Sequence, residues 1–133
     1  MKAGAVLDAS ALLAWMFNEP DKKAVSAALE KGCLINAVNW CEVIQKANQR
    51  DIATPLLYEK LRHMQILDVA LSIIELTEPL ATAMTGLSPL TKPYGLSLGD
   101  RACLALGQRK GIAVLTTDII WKKLDVGVDI QLI

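Results

Sequence analysis

Short apolar runs that stop abruptly at polar residues alternate along this chain with longer segments of helical periodicity. That alternation commits the chain to helices packed on a mostly parallel sheet, because strands buried on both faces read as unbroken apolar runs. Residues 3–7 form the first run, continuing from Met1-Lys2, and they end at Asp8-Ala9-Ser10. A short apolar helix is expected over residues 11–17, broken near Asn18-Glu19-Pro20. Asp21 is placed to cap a second helix running to Glu30, with Val25, Ala28 and Leu29 inward and Gly32 closing it.

Residues 33–35 read as a buried strand and residues 38–50 as a helix. Thr54 as N-cap with Pro55 at the first helical position opens another helix, whose apolar stripe is Leu57, Leu61 and Met64. A brief strand is expected at residues 67–69, although the pattern over 66–76 fits helix and strand alike. Thr77-Glu78-Pro79 starts a helix to about Leu87, and residues 88–96, with Pro89, Pro93 and Gly95, are expected to be a loop. The clearest helix runs from Ser97 to Lys110 and is closed by Gly111. Residues 112–115 are a buried strand, Thr117 or Asp118 caps a short helix to Leu124, and residues 128–133 form the last strand.

At 133 residues, 53% hydrophobic and 21% charged, the chain is expected to be one domain over residues 1–133 with a single sizeable core. The first seven residues are too short for a signal segment, and no apolar stretch reaches the roughly 20 residues a membrane helix needs. A cytoplasmic protein without membrane contact is the expectation. Cys33, Cys41 and Cys103 are odd in number, lack CxxC spacing and lie in apolar segments, which reads as buried free thiols.

Four acids stand out by position. Asp8 and Asp118 each lie just past the carboxyl end of a buried strand, while Glu42 and Asp100 lie in the first turns of helices. Ligands in such sheets gather at the carboxyl ends of the strands. Any one of these acids has an ordinary explanation as a helix cap, and Ser97-Leu98-Gly99-Asp100 resembles a capping box. Four at one end of a sheet are not explained that way. Crowded carboxylates repel, and a divalent cation relieves them. Oxygen ligands without His or Cys favour magnesium or manganese over zinc, and such ions serve phosphoryl chemistry.

Other chemistries lose support. His63, the single histidine, lies on the polar side of its helix, so a two-histidine ribonuclease mechanism is excluded. Ser10 has no histidine base or GxSxG context, and no Gly-rich phosphate loop occurs. Basic and acidic residues balance at 14 each, which advertises no global nucleic-acid field; setting the four acids aside leaves 10 against 14 basic groups, enough for a local phosphate-contacting rim.

These residues resemble the PIN-domain nucleases, and among them the VapC-type toxins of toxin–antitoxin pairs. The resemblance spans nearly the whole chain and is carried by Val6-Leu7-Asp8-Ala9-Ser10-Ala11, Asn39-Trp40-Cys41-Glu42-Val43, Leu96-Ser97-Leu98-Gly99-Asp100-Arg101-Ala102 and Val114-Leu115-Thr116-Thr117-Asp118. It implies a three-layer α/β/α fold and magnesium-dependent endoribonuclease activity. It also implies a homodimer and inhibition by a cognate antitoxin. Position by position it matches Asp8, Glu42, Asp100 and Asp118 to the acidic catalytic and metal-binding set, with Ser10 and Thr116 as polar supports. One departure is Ile119-Ile120-Trp121 after Asp118, where many relatives carry a further acidic or polar residue.

Lys46, Arg50, Arg101, Lys122 and Lys123 are the candidates for RNA contact. Trp15, Trp40 and Trp121 have apolar neighbours and are expected in the packing rather than as base-stacking platforms. The alternative reading is a catalytically silent PIN-like module that binds a protein partner through the apolar stretch at residues 12–17. A phosphatase with Asp8 as nucleophile fits poorly, because Asp-Ala-Ser lacks a second Asp two residues on.

Overall fold

The computed structural model describes residues 3–133; Met1 and Lys2, which the sequence joins to the first strand, lie outside the described residues. Five strands form one all-parallel sheet: β1 (Ala5–Leu7), β2 (Cys33–Asn36), β3 (Leu71–Ile74), β4 (Val114–Thr116) and β5 (Ile130–Leu132), in the order β3-β2-β1-β4-β5. The helices are α1 (Ala9–Met16), α2 (Lys22–Lys31), α3 (Ala37–Gln49), α4 (Thr54–His63), α5 (Glu78–Thr91) and α6 (Leu98–Lys110), with short 3-10 turns at Lys92–Tyr94 and Ile119–Lys123.

Strand alternation divides the core between the two faces of the sheet. Leu7, Ile35 and Leu115 pack with Leu12, Val25, Val43 and Leu61 from α1 to α4. Val6 and Val114 pack with Met84, Leu104 and Trp121 from α5, α6 and the second 3-10 turn. This is the α/β/α layering expected from the sequence. Registers Val6↔Leu34 and Val6↔Val114 put β1 at the centre, and the chain departs from it on one side to β2 and on the other to β4. Such a switch point leaves a crevice beyond the carboxyl ends of the two strands.

Several local expectations are corrected. The strand placed at residues 67–69 is a turn; Gln65 and Asp68 adopt left-handed φ of 59° and 64°, which extended pairing cannot accommodate, and β3 begins at Leu71. The loop placed at residues 88–96 is mostly helical. α5 continues through Pro89 because Leu87 and Thr91 bury on one face, with the Thr91 hydroxyl donating to the Leu87 carbonyl at 2.9 Å. Left-handed Gly95 then turns the chain towards α6. Thr54 is the first residue of α4 rather than its cap, and Ala53 occupies the cap position. Met64 leaves the apolar stripe and is exposed, as is Cys41, because the inward face of α3 is taken by Trp40, Val43 and Ala47. Cys33 and Cys103 are buried, and burial pushes both thiols up, Cys33 to about 11, so they are inert packing groups. Among the described residues, no helix is long and apolar enough to cross a membrane.

Candidate acidic site

Asp8 leaves β1 at the switch point and occupies the N-cap position of α1, yet its carboxylate makes no cap hydrogen bond. It is spent instead on two hydroxyls. Oδ2 accepts from Ser10 at 2.9 Å and from Thr116, at the end of β4, at 3.0 Å. Those hydroxyl oxygens in turn accept the backbone N–H groups of Thr117 and Asp118, each at 3.1 Å. Each hydroxyl therefore has its proton aimed at Asp8 and a lone pair engaged from behind. Burial pushes the Asp8 carboxyl up from 3.8 to about 6, against the pull of both hydroxyls, and the charge of Asp100 adds to the rise.

Asp100 is held by the capping box expected from the sequence. Its Oδ2 accepts from the Ser97 N–H at 2.9 Å while the Ser97 hydroxyl accepts from the Asp100 N–H at 3.1 Å. The capping role and the position beside Asp8 are thus both present. Glu42, half-buried on α3, is raised by burial first and then by the charges of Asp8 and Asp100. Asn39 and Lys46, on neighbouring turns of the same helix, oppose that rise.

Asp118 stands apart. It is exposed, its Oδ1 accepts from the Ile120 N–H at 3.0 Å as the cap of the 3-10 turn, and its charge is not among those acting on Asp8 or Glu42. Three of the four acids are therefore brought into electrostatic contact, with the fourth at the rim. Among the described residues, no group of three or more His, Cys, Asp or Glu side chains is compact enough to hold a metal ion by direct ligation alone. The donor set is nevertheless all hard oxygen, and magnesium typically takes one or two carboxylates directly and keeps several waters.

The basic candidates scatter. Lys46 is exposed one turn from Glu42. Arg50 lies at the other end of α3, about 12 Å along its axis from Glu42, with its guanidinium carbon 3.9 Å from the centre of the Phe17 ring. It is remote from the acids. Arg101 is half-buried beside Asp100, with its Nε unpartnered. The Lys122 ammonium donates to the Ile130 carbonyl at 3.2 Å, and Lys123 is exposed. Trp40 and Trp121 are buried, so neither offers a face to a base, while Trp15 is half-buried and donates to Ser26 at 3.1 Å. His63 is exposed at the end of α4.

Sequence reasoning passed over two contributors, Asn39 and Gly99. Asn39 is fully buried and donates to the Gly99 carbonyl at 2.9 Å, and a Cβ on Gly99 would lie 2.0 Å from Glu42 Oε1. The signal was a polar residue one turn before Glu42 on its own face, but its partner lies 60 residues away.

No curated protein matches the chain. Solved structures with the same fold include a toxin–antitoxin complex from Klebsiella pneumoniae, with TM-score 0.70 and 19% identity over 94% of this chain and 95% of that one. DNA-bound VapBC from Salmonella typhimurium is similar with TM-score 0.71 and 12% identity, covering 98% of both chains. VapC20 of Mycobacterium tuberculosis, a toxin that cleaves the sarcin-ricin loop, gives 0.68 and 14% over 95% of this chain and 99% of that one. The family model of the PIN domain matches residues 5–127. With the parallel sheet, the switch-point aspartate and that match over most of its length, this chain belongs to the PIN domain family.

Proposed function

We propose that this protein is a magnesium- or manganese-dependent endoribonuclease, the toxin of a toxin–antitoxin pair. One observation carries the reading: Asp8, Glu42 and Asp100 sit at the switch point of the sheet with Asp8 and Glu42 both raised by burial and by neighbouring negative charge. A fold that only needed caps gains nothing from that repulsion, whereas a divalent cation turns it into affinity. PIN domains are usually metal-dependent nucleases, and the structures of similar fold include toxins, one of them described as cleaving the sarcin-ricin loop.

In this reading Asp8, Glu42 and Asp100 hold the cation, directly or through water, and Asp118 acts at the rim. A cation held there would supply positive charge at the scissile phosphate and make the attacking water more acidic. Ser10 and Thr116 fix the Asp8 carboxylate by donating to a single oxygen, leaving the other to the cation. Lys46, Arg101, Lys122 and Lys123 contact RNA phosphates; Arg50 is too distant to share that role. RNA is the substrate, and a second copy of the chain and an antitoxin protein are the partners.

The alternative, a silent interaction module, draws on Trp15, Met16, Phe17 and Met64, which line an apolar groove away from the acids. One experiment separates the two. Purified protein, free of antitoxin, is incubated with structured RNA in magnesium or manganese and in EDTA, beside Asp100→Asn. Metal-dependent cutting that the variant lacks is expected; folded protein that cuts nothing under either metal would favour the module.

A further inference from the structure

We infer that Asn39 is a positioning residue that fixes the Glu42 carboxylate against the first turn of α6, setting its separation from Asp100. The inference rests on reading the acids as a cation site and deepens it.

Asn39 has none of its surface exposed, so each amide bond it makes or forgoes weighs on the fold. Its Nδ2 donates to the Gly99 carbonyl, and the Glu42 carboxylate crowds the same spot, since a Cβ placed on Gly99 would lie 2.0 Å from Glu42 Oε1 and 3.6 Å from Asn39 Nδ2; Asn39 also opposes the rise of Glu42. The amide nitrogen thus ties together one element that bears Glu42 and another that bears Asp100. Its Oδ1 has no partner. Turning the amide over would set that oxygen against the Gly99 carbonyl and beside the Glu42 carboxylate, so the fold tolerates an orphaned buried acceptor in order to keep the amide nitrogen on the Gly99 carbonyl and facing the acid. A residue serving only to fill space would leave no such orphan.

Gly99 completes the clamp. It is not among the glycines with positive φ, so any residue could adopt its backbone. What it supplies is room, since a Cβ would stand 2.0 Å from Glu42 Oε1 and 3.2 Å from its Cδ. Glu42 therefore lies directly on the α6 backbone, one residue before Asp100. Lys46 also attracts Glu42, but it is exposed and its long side chain fixes no distance.

The test uses the full chain and manganese alone, followed by RNA cleavage. Asn39→Leu keeps the volume and loses the donors; Gly99→Ala keeps the donors and displaces the carboxylate. Each is expected to weaken Mn2+ binding in calorimetry on the order of tenfold, as removal of a group that orients a ligand does. Each also lowers kcat while KM for RNA stays as in wild type. Adding Asn39→Leu to Glu42→Gln is expected to weaken binding no further than Glu42→Gln alone. Cooperatively melting variants that bind Mn2+ like wild type, or losses that add in the double variant, overturn the clamp. Wild-type protein that binds Mn2+ but cuts no RNA overturns the nuclease reading and leaves the clamp standing. Wild-type protein that takes up no Mn2+ overturns both.

Discussion

The two ends of the sheet are built on different principles. At the carboxyl end the chain buries Asp8, Asn36, Asn39 and Thr116, while Thr91, on α5, is the only other buried polar residue among the described residues. At the amino end a hollow beside Gly4 and Ala5 is walled by Ala24, Ala27 and Ala28, with Lys31, Leu115 and Gln131 completing it and no carboxylate in its lining, and the polar backbone groups satisfy one another, as where the Gly4 N–H donates to the Gly32 carbonyl at 2.7 Å. Burying polar groups costs free energy unless every bond is made. One end accepts that cost and concentrates carboxylates on top of it; the other avoids it. The difference marks the carboxyl edge as the candidate site without reference to any relative.

Substitutions at the two kinds of place sharpen the contrast. Asp8→Asn is expected to reduce RNA cleavage on the order of a thousandfold, the scale of losing a group that stabilises charge in the transition state. It should do so while stabilising the metal-free protein. The sign follows from Asp8 lying at about 6 in the folded chain against 3.8 as its ordinary value. Between those values the folded state binds the extra proton, so this group's contribution is full below about pH 4 and is lost as pH rises through 6. At pH 7 the loss is about 3 kcal/mol, and Asp8→Asn should recover most of it. Thermal melts of both proteins in EDTA from pH 4 to 8 check this; a variant less stable than wild type at pH 7 would remove the argument that burial, with the charge of Asp100, holds the Asp8 carboxylate at a cost.

Gly107→Ala probes the packing away from the acids. A Cβ there would lie 2.5 Å from Val114 Cγ1, inside the seam between α6 and β4. A loss of about 2 kcal/mol in urea unfolding is expected, with cleavage per folded molecule unchanged. Ser97→Ala has the smallest effect, about 1 kcal/mol for a lost cap. It still divides the two roles of Asp100: a fall in cleavage beyond the fall in stability would show that the cap also aims the carboxylate.

What the sequence disclosed was local. The stops at Asp8 and Asp118 and the capping box from Ser97 to Asp100 are written within a few residues, and the structure has all of them in place. What escaped depends on partners far along the chain. β3 falls at Leu71–Ile74 because that stretch pairs with β2, and helix α5 survives Pro89 because its inner face packs. Asp118 follows a strand as Asp8 does, but its carboxylate is taken by its own 3-10 turn, so chain position alone set it closer to the others than it is. Arg50 is misleading for a simple reason: α3 runs away from the edge, and two further turns carry a side chain to the opposite end.

The hydroxyl pair on Asp8 also ties the site to the order in which the chain assembles. Ser10 is two residues from Asp8, whereas Thr116 is 108 residues away. The first contact forms with the β1–α1 corner; the second requires β4 to dock beside β1, closing one of the longest loops in the molecule. Until that closure the carboxylate lacks one of its two hydroxyl partners. A polypeptide with its amino-terminal half folded and β4 still unpaired holds Asp8 and Glu42 in place but none of the finished constellation, so the proposed cutting power would arrive with the sheet and leave with it.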